Sequence, residues 1–195
     1  MSIMNICKLE KSTWDSKDIS LRQQCRYLND EDLSSSWLKP LLADMYETLY
    51  STPSGVGLAA PQVGVQLRIA VIDIKRDTKK PLVLINPSYI GLGDEMKIST
   101  ESCLSVPGVV GQVMRFQRVR VCYTDFSGDQ IEREYSGFEA TALQHEIDHL
   151  NGIVYVDRLI PGTSVEPSES HIHRQAIKSV DNLYKKAAGD SYEQH

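Results

Sequence analysis

The sequence predicts an α+β fold, with strands in the middle of the chain and helices on either side of them. Two β-branched, apolar runs at 68–74 and 82–87 are typical of strands. Two further strand-like runs, 119–125 and 130–136, flank the turn sequence FSGD and indicate a hairpin. Residues 137–151 then change to helical spacing. Strands and helices in separate stretches favour the α+β class, and 195 residues are enough to bury one core.

A first helix is predicted from Ser35 or Ser36 to about Tyr50. Either serine can cap its start, and Pro40 falls in the first turn, where proline is tolerated. The apolar stripe at helical spacing consists of Trp37, Leu38, Leu41, Leu42, Met45 and Leu49. Before this helix, residues 1–33 are polar and weakly patterned, so we expect irregular loop there.

Two more helices are predicted after the strands. For the helix at 137–151, Ser136 can cap the start, and Gly152 lies where a glycine commonly ends a helix. An amphipathic helix is predicted over 171–189, after a linker-like stretch at 161–170. The domain boundaries predicted from this pattern are 1–165 for a single domain and 166–195 for a C-terminal helix and tail.

Composition and charge exclude several classes of protein. No apolar run reaches the roughly 18 residues of a membrane-spanning helix, and the N-terminal sequence lacks the apolar stretch of a secretory signal. We therefore expect a cytoplasmic protein without a membrane partner. The net charge of −5 weighs against nucleic acid, DNA included, as the main partner. The 4 cysteines of such a chain do not predict a disulfide framework.

The sequence QHEIDHLNG, residues 144–152, predicts a metal site on the helix at 137–151. His145 and His149 are four residues apart, so they lie on one face of the helix and can bind one ion together. Glu146 lies about 100° round the helix from His145. A carboxylate beside the ligands can act as a base on metal-bound water.

A hydrolytic metal site usually takes three protein ligands and keeps one position open, so a third ligand is required. The extended motif HExxHxxGxxH has a third histidine where this chain has Tyr155. Other downstream candidates are Glu166, Glu169, His171 and His173. They lie in or beside the linker-like stretch, which holds a ligand poorly. The upstream candidate is Cys103, which lies in ESCLSVPG at 101–108 and whose thiolate can complete a Cys/His₂ set.

Three segments together resemble the signature motifs of the peptide deformylase family. They are GVGLAAPQ (55–62), ESCLS (101–105) and QHEIDHLNG (144–152), which have the order and spacing of that family. The resemblance covers roughly residues 37–160. It implies antiparallel or mixed sheets packed around a central metal-binding helix, within a catalytic domain at 1–165. It also implies removal of the formyl group from the N-terminal formylmethionine of newly made proteins, with release of formate.

The resemblance assigns roles to individual residues of this chain. The implied metal ligands are Cys103, His145 and His149, and the implied catalytic glutamate is Glu146. The side chain of Gln62 and the backbone N–H of Leu104 match the groups that hold the formyl oxygen, and Gly57 matches the glycine whose backbone meets the substrate. Such donors stabilise the charge that develops on that oxygen during hydrolysis.

The resemblance also implies a pocket for the methionine side chain. The matching positions are Val56, Phe138, Thr141 and Ala142, of which the last three share a helix face with His145. Arg115 matches a basic residue that is common near the substrate. Two positions depart from the family pattern. Thr141 replaces a more usual aliphatic residue, and Ser102 replaces a glycine, so a positive φ at position 102 would be strained.

The implied cofactor is one divalent metal ion per chain, Fe²⁺ in the cell with Zn²⁺ or Ni²⁺ as substitutes. A Cys/His₂ set also suits Zn²⁺ by softness and geometry. The implied partners are the formylmethionyl peptides of nascent chains. Some family members also contact the ribosome, which suggests the same for the basic residues of the C-terminal helix. Those residues are Arg174, Lys178, Lys185 and Lys186, and a solvated helix face carries the same pattern.

Two other functions stay open at the level of the sequence. A zinc endopeptidase would use a third ligand downstream of the helix and would cleave unformylated internal peptide bonds. A non-catalytic peptide-binding relative would take up a structural metal without releasing formate. Glu146 and Gln62 weigh against the second alternative, because a site without chemistry has no physical need of them.

Overall fold

The computed structural model of the protein describes residues 2–9, 20–76 and 81–168. It confirms the α+β class, with antiparallel sheets and few helices. The helix predicted at 171–189 lies outside the described residues. Within the described ranges, no helix combines the length and the apolar character needed to cross a membrane.

The bounds of the elements match most of the predicted ones to within a few residues. The α-helices among the described residues are α1 (Asp30–Ser34), α2 (Leu38–Ser51) and α3 (Gly137–Leu150). The strands are β1 (Gly57–Ala59), β2 (Ile69–Ile72), β3 (Leu82–Gly91), β4 (Met96–Cys103), β5 (Val106–Phe116), β6 (Arg118–Thr124), β7 (Gln130–Ser136) and β8 (Glu166–Pro167). Short 3₁₀ turns occupy Ser20–Arg22, Ala60–Val63 and Tyr155–Arg158.

In the described part of the chain, the strands form two antiparallel sheets. The larger sheet has the order β1-β2-β3-β6-β7, and the smaller one has the order β4-β5-β8. The β6–β7 hairpin is the one predicted around FSGD. In β4 the exposed and less exposed side chains alternate, as in a strand with one face toward solvent and one toward the interior.

Helix α3 packs one face on the larger sheet and turns another toward the smaller one. Its apolar residues at three- and four-residue spacing are Ala140, Leu143, Ile147 and Leu150, and they share a core cluster with Ala70, Leu84, Val119 and Val121 of the sheet. Each of the larger aliphatic side chains stabilises the fold by roughly 1.5–3 kcal/mol when fully buried. This packing fixes the rotation of α3 and therefore the direction of its histidines.

The region before α2 differs from its prediction. Residues 30–34 form α1, closed by a capping box between Asn29 and Asp32, where irregular loop was predicted. Helix α2 begins at Leu38, with Trp37 rather than a serine at its N-cap. The reason is that Ser35 ends α1, since both its backbone N–H and its hydroxyl bond to the Asp32 carbonyl.

Strands β1, β4, β5 and β8 were not predicted. The segment before and after Cys103 forms the long β4–β5 hairpin, in which Met96 pairs with Phe116. Strand β8 lies within the predicted linker at 161–170 and pairs with β5. The domain boundary at 165 stays a prediction, although the chain still adds to the smaller sheet just beyond it.

Candidate metal centre

One face of β4 lies against one face of α3, and this contact positions the candidate site. Alternate residues of a strand point to the same side and are about 6.6 Å apart. Residues four apart in a helix share a face and are about 6.0 Å apart. Because the two steps nearly match, three strand residues meet three helix residues in register. The pairs of this β4–α3 ladder are Ser99–Thr141 (3.3 Å between hydroxyl oxygens), Glu101–His145 (2.8 Å, Oε2 to Nδ1) and Cys103–His149 (3.3 Å, Sγ to Nε2).

The last two pairs bring together a thiol and two imidazoles. One ligand atom from each of Cys103, His145 and His149 lies within 4.8 Å of the other two. Thiolate and imidazole ligands bind Zn²⁺ at about 2.3 and 2.0–2.1 Å, which puts ligand atoms roughly 3.4–3.6 Å apart in a tetrahedron. The Cys103–His149 distance of 3.3 Å is close to that value. The residues therefore fit a divalent first-row ion.

The protonation of the two rings follows from their surroundings. Burial lowers the pKa of His149 well below its usual range, so this ring is neutral and its Nε2 lone pair can bind a metal. Burial also opposes a proton on His145, but its hydrogen bonds with Cys103 and Glu101 outweigh that effect and raise its pKa.

Glu101 orients the His145 ring. Its carboxylate accepts a hydrogen bond from Nδ1 at 2.8 Å, so Nε2 is the nitrogen left to face the metal centre. A metal-binding histidine commonly has such an outer carboxylate partner, which fixes its tautomer and orientation. Burial alone would raise the pKa of Glu101, but hydrogen bonds from Arg115 and His145 lower it to about 2.

Arg115, for which a place near the substrate was predicted, lies inside the protein, and its substrate-binding role stays a prediction. Its side chain is only 1% exposed. Its guanidinium donates two parallel hydrogen bonds to Glu101, at 2.7 and 2.9 Å, and a third to Asp148. Each of its three nitrogens therefore has a carboxylate partner inside the protein. The sequence could not show this, because both partners depend on tertiary packing.

Arg158 is the second arginine that bonds to Asp148. It donates two hydrogen bonds to Asp148, one of them 2.7 Å long, and Asp148 Oδ2 accepts from both Arg158 and Arg115. We call Arg115, Glu101, Asp148 and Arg158 the ion network. It contains two guanidinium groups and two carboxylates, and every carboxylate oxygen in it accepts at least one hydrogen bond. Buried charges are tolerated when they are paired and hydrogen-bonded in this way.

Glu146 lies on α3 between the two histidines and is 5% exposed. Burial raises the pKa of its carboxyl group to about 7, which suits a group that both accepts and returns a proton near neutral pH. Its Oε2 is buried and has no hydrogen-bond partner among the described residues. A Cβ atom at Gly57 would lie 2.4 Å from Glu146 Oε1, so only glycine at that position leaves room for the carboxylate.

The amide of Gln62 is held with its nitrogen toward the metal centre. Its oxygen accepts the backbone N–H of Ala59 at 2.8 Å, which determines which way the amide points. Its Nε2 then lies 3.5 Å from Cys103 Sγ and 3.2 Å from Ser105 Oγ. Leu104 follows Cys103 in the two-residue turn between β4 and β5. Both predicted donors to a formyl oxygen thus belong to segments that contact Cys103.

The residues predicted for the methionine pocket differ in exposure. Thr141 and Ala142 are buried, 4% and 6% exposed, and flank the turn of α3 that precedes His145. Phe138 is 58% exposed at the start of the same helix. Val56 is half-buried immediately before β1, and its carbonyl accepts the backbone N–H of Asp73.

The structure describes some of the other residues that the sequence analysis singled out. Ser102 is not among the described non-glycine residues with positive φ, so the serine introduces no backbone strain at that position. Tyr155 directs its hydroxyl to the Val109 carbonyl and stacks its ring on His145, with the centroids 6.3 Å apart. Glu166 is exposed in β8. The remaining downstream candidates, Glu169, His171 and His173, lie outside the described residues.

Sequence reasoning missed the supporting roles of Glu101 and Asp148. For Glu101 a signal was present, since an acidic residue two positions before Cys103 in an extended segment faces the same side as that cysteine. For Asp148 no local signal existed, because a charged residue on a helix is more often exposed. Its burial follows from the two arginines that other segments supply.

The fold and the site define a metal-dependent hydrolase, in which an α-helix and a hairpin strand hold the candidate ligands. A family model described as polypeptide deformylase matches residues 8–164, so the chain belongs to the polypeptide deformylase family. A peptide deformylase of Endomicrobium trichonymphae is 46% identical over 153 residues, which cover 78% of this chain and 83% of the relative.

Solved structures of the same family resemble this chain closely. A peptide deformylase from Legionella pneumophila matches with a TM-score of 0.71 and 35% identity, covering 96% of this chain and 98% of that one. An actinonin-bound class I type b peptide deformylase from Acinetobacter baumannii matches with a TM-score of 0.70 and 33% identity, covering 82% and 100%. Family membership confirms the activity expected from the three motifs, removal of the N-formyl group from newly made proteins.

Proposed function

We propose that Cys103, His145 and His149 hold the divalent ion of this deformylase and that Glu146 moves the proton during hydrolysis. The observation that carries the proposal is the cluster of three ligand atoms within 4.8 Å of one another, beside a buried carboxylate. On this reading α3 is a central metal-binding helix, with the two sheets packed around it. Such a ligand set leaves a fourth position for water or substrate.

Iron is the proposed metal in the cell, with zinc or nickel as substitutes. A thiolate and two imidazoles accept each of these ions, and softness and geometry alone favour Zn²⁺. The preference for Fe²⁺ therefore comes from the resemblance to the family. Metal analysis of the protein purified without oxygen, compared with protein purified in air, distinguishes the two ions.

Each side chain of the site has a defined task in the proposed reaction. The bound ion supplies Lewis acidity and makes water available as a nucleophile at neutral pH. Glu146 accepts the proton of the attacking water and returns it to the leaving amine. The amide of Gln62 and the backbone N–H of Leu104 donate hydrogen bonds to the formyl oxygen as negative charge develops on it. Gly57 keeps its backbone accessible to the peptide beside Glu146.

The proposed substrate is a nascent peptide with an N-terminal formylmethionine. Its side chain would lie against Val56, Thr141 and Ala142, with Phe138 at the exposed edge. An extended peptide beside the glycine-containing segment can add as a further strand, because backbone groups at a sheet edge pair without regard to sequence. The cytoplasm is the proposed location, since nascent chains are made there and a free thiol ligand stays reduced there.

The proposed contact with the ribosome depends on the basic residues predicted for the C-terminal helix. They lie outside the described residues, as does nearly all of the segment at 166–195. Sedimentation of the full chain and of a chain ending at residue 168 with ribosomes tests the contact directly. Equal binding of the two chains would rule it out.

The central experiment measures formate release from formyl-Met-Ala-Ser together with the metal content of the same sample. We expect about one metal ion per chain and catalytic release of formate. The same protein stripped with a chelator and reloaded with Fe²⁺, Zn²⁺ or Ni²⁺ should regain activity. Release of formate at an undiminished rate from fully stripped protein would overturn the proposed mechanism.

A further inference from the structure

The hydroxyl groups of the first pair of the β4–α3 ladder, Ser99 and Thr141, take no part in the proposed metal binding or proton transfer. Ser99 Oγ and Thr141 Oγ1 are 3.3 Å apart, and Thr141 Oγ1 is also 3.3 Å from the carbonyl oxygen of Gly137. Thr141 is 4% exposed, whereas Ser99 is half-buried. One hydroxyl is thus enclosed and the other is partly open.

The ladder places this pair beside the metal centre. Thr141 is four residues before His145 on the same helix face, a step of about 6.0 Å. Ser99 is two residues before Glu101 on the same side of β4, a step of about 6.6 Å. Ala142, which is buried, adjoins Thr141 in the chain. The two hydroxyls therefore belong to the wall that we propose for the first side chain of the substrate.

The hydrogen bonds of Ser99 and Thr141 leave one O–H group that can donate to a ligand. Two hydroxyls contribute two O–H donors. One of them is used between Ser99 and Thr141, and the other reaches Gly137 only through the 3.3 Å contact. The Gly137 carbonyl is also the normal acceptor for the backbone N–H four residues later in the helix. Thr141 can therefore turn its proton to Ser99 without leaving that carbonyl unpaired, and the Ser99 O–H becomes free to donate.

The free O–H of the pair stabilises a substrate side chain only if that side chain accepts a hydrogen bond. The thioether sulfur of methionine is a weak hydrogen-bond acceptor, and a hydrocarbon side chain cannot accept a hydrogen bond. Oxidation converts the thioether to a polar sulfoxide, whose oxygen is a much better acceptor. An apolar wall disfavours that group, since burying a polar atom without a partner is costly. A wall with a free O–H does not impose this cost.

We propose that Ser99 and Thr141 form a hydrogen-bonding subsite for the first side chain, so that the protein deformylates chains beginning with formylmethionine sulfoxide as well as formylmethionine. The inference rests on the proposed function, because it places that side chain beside His145. It makes Ser99 and Thr141 specificity determinants of the reaction.

The test compares formyl-X-Ala-Ser peptides in which X is methionine, methionine sulfoxide or norleucine. The readout is the ratio of kcat/KM for the sulfoxide peptide to kcat/KM for the norleucine peptide, taken within each variant. Thr141→Val has nearly the same shape but no hydroxyl, and Ser99→Ala removes the outer one. We expect each change to lower the ratio about tenfold, the effect of one hydrogen bond of about 1.4 kcal/mol.

Two further variants separate a specific contact from a general disturbance. Thr141→Ser keeps the hydroxyl and should keep the ratio of the unaltered protein. Thr100 is the neighbour of Ser99 on the exposed face of β4, so Thr100→Val should also leave the ratio unchanged. A ratio that stays constant in both Thr141→Val and Ser99→Ala overturns the inference while the deformylase activity stands. No formate from any of the three peptides would overturn the proposed function as well.

Discussion

The two sides of the His145 ring differ in how completely their polar atoms are paired. On the Nδ1 side, the ion network pairs two guanidinium groups with two carboxylates, since Arg115 bonds to both Glu101 and Asp148 and Arg158 bonds to Asp148. Beside the candidate ligands, Glu146 Oε2 is buried without a hydrogen-bond partner in the described chain. Every carboxylate oxygen of the ion network therefore has a partner, whereas the Glu146 carboxylate keeps unused hydrogen-bonding capacity at a cost in stability. Fully paired charges thus lie on one side of His145, and an unpaired carboxylate oxygen lies beside the candidate ligands.

The largest expected effect on metal affinity comes from removing the proposed ligand Cys103. Cys103→Ser should lower metal affinity by more than about 100-fold, the upper effect of changing an outer partner, and formate release should fall with it. The unfolding midpoint of the metal-free protein should change little, because the ion network is intact. Metal analysis after dialysis and a chemical denaturation curve measure both quantities.

Cys7→Ser is the matched control, since Cys7 is half-buried and lies outside the ligand cluster. Equal metal content in the Cys103→Ser and Cys7→Ser proteins would exclude Cys103 as a ligand. The comparison of the two sides of His145 would then have to be abandoned.

Glu146→Gln tests the proposed proton transfer separately from metal binding. The amide keeps the size of the carboxylate but cannot accept the proton, so kcat should fall by about 10²–10⁴-fold. Metal content should stay near that of the unaltered protein. Glu139→Gln, at an exposed position of the same helix, should change neither quantity. A Glu146→Gln protein without metal would show that Glu146 holds the ion rather than the proton.

Arg115→Met disrupts the ion network. It leaves Glu101 and Asp148 with fewer partners inside the protein, and removal of one member of a buried ion pair costs about 3–5 kcal/mol of unfolding free energy. Metal affinity should fall by about 10–100-fold, because Glu101 no longer holds His145 in one orientation. Urea denaturation and metal titration give the two values.

The control for Arg115→Met is Arg118→Met, which removes an exposed arginine bonded to Glu134. That variant should match the unaltered protein in metal affinity. If Arg115→Met also left metal affinity unchanged while lowering stability, the network would support the fold alone and not the metal centre.

Arg158→Met is the mildest change. The side chain of Arg158 is 36% exposed, and Asp148 keeps its bond to Arg115, so the expected cost is only about 1 kcal/mol. Metal affinity should stay the same, since Glu101 keeps both of its bonds to Arg115. A loss of affinity as large as that of Arg115→Met would mean that the network transmits every disturbance to His145.

Local patterns predicted the elements that carry the site. Helix α3 was predicted to within a residue, because the spacing of its apolar residues and the glycine after it are local signals. Strands β2, β6 and β7 were found for the same reason. The β4–β5 hairpin was missed because its long strands are polar on their exposed face and mix serine, glycine and proline into the pattern. Helix α1 is too short for a periodic signal.

The sequence by itself determined that His145 and His149 share one face with Glu146 beside them, because helical geometry repeats every 3.6 residues whatever surrounds it. Only the tertiary structure decided that Cys103 meets this face and that Arg115 lies buried between Glu101 and Asp148. Both facts depend on the register between β4 and α3. That register is set by the packing of two sheets on one helix, which no local stretch of residues encodes.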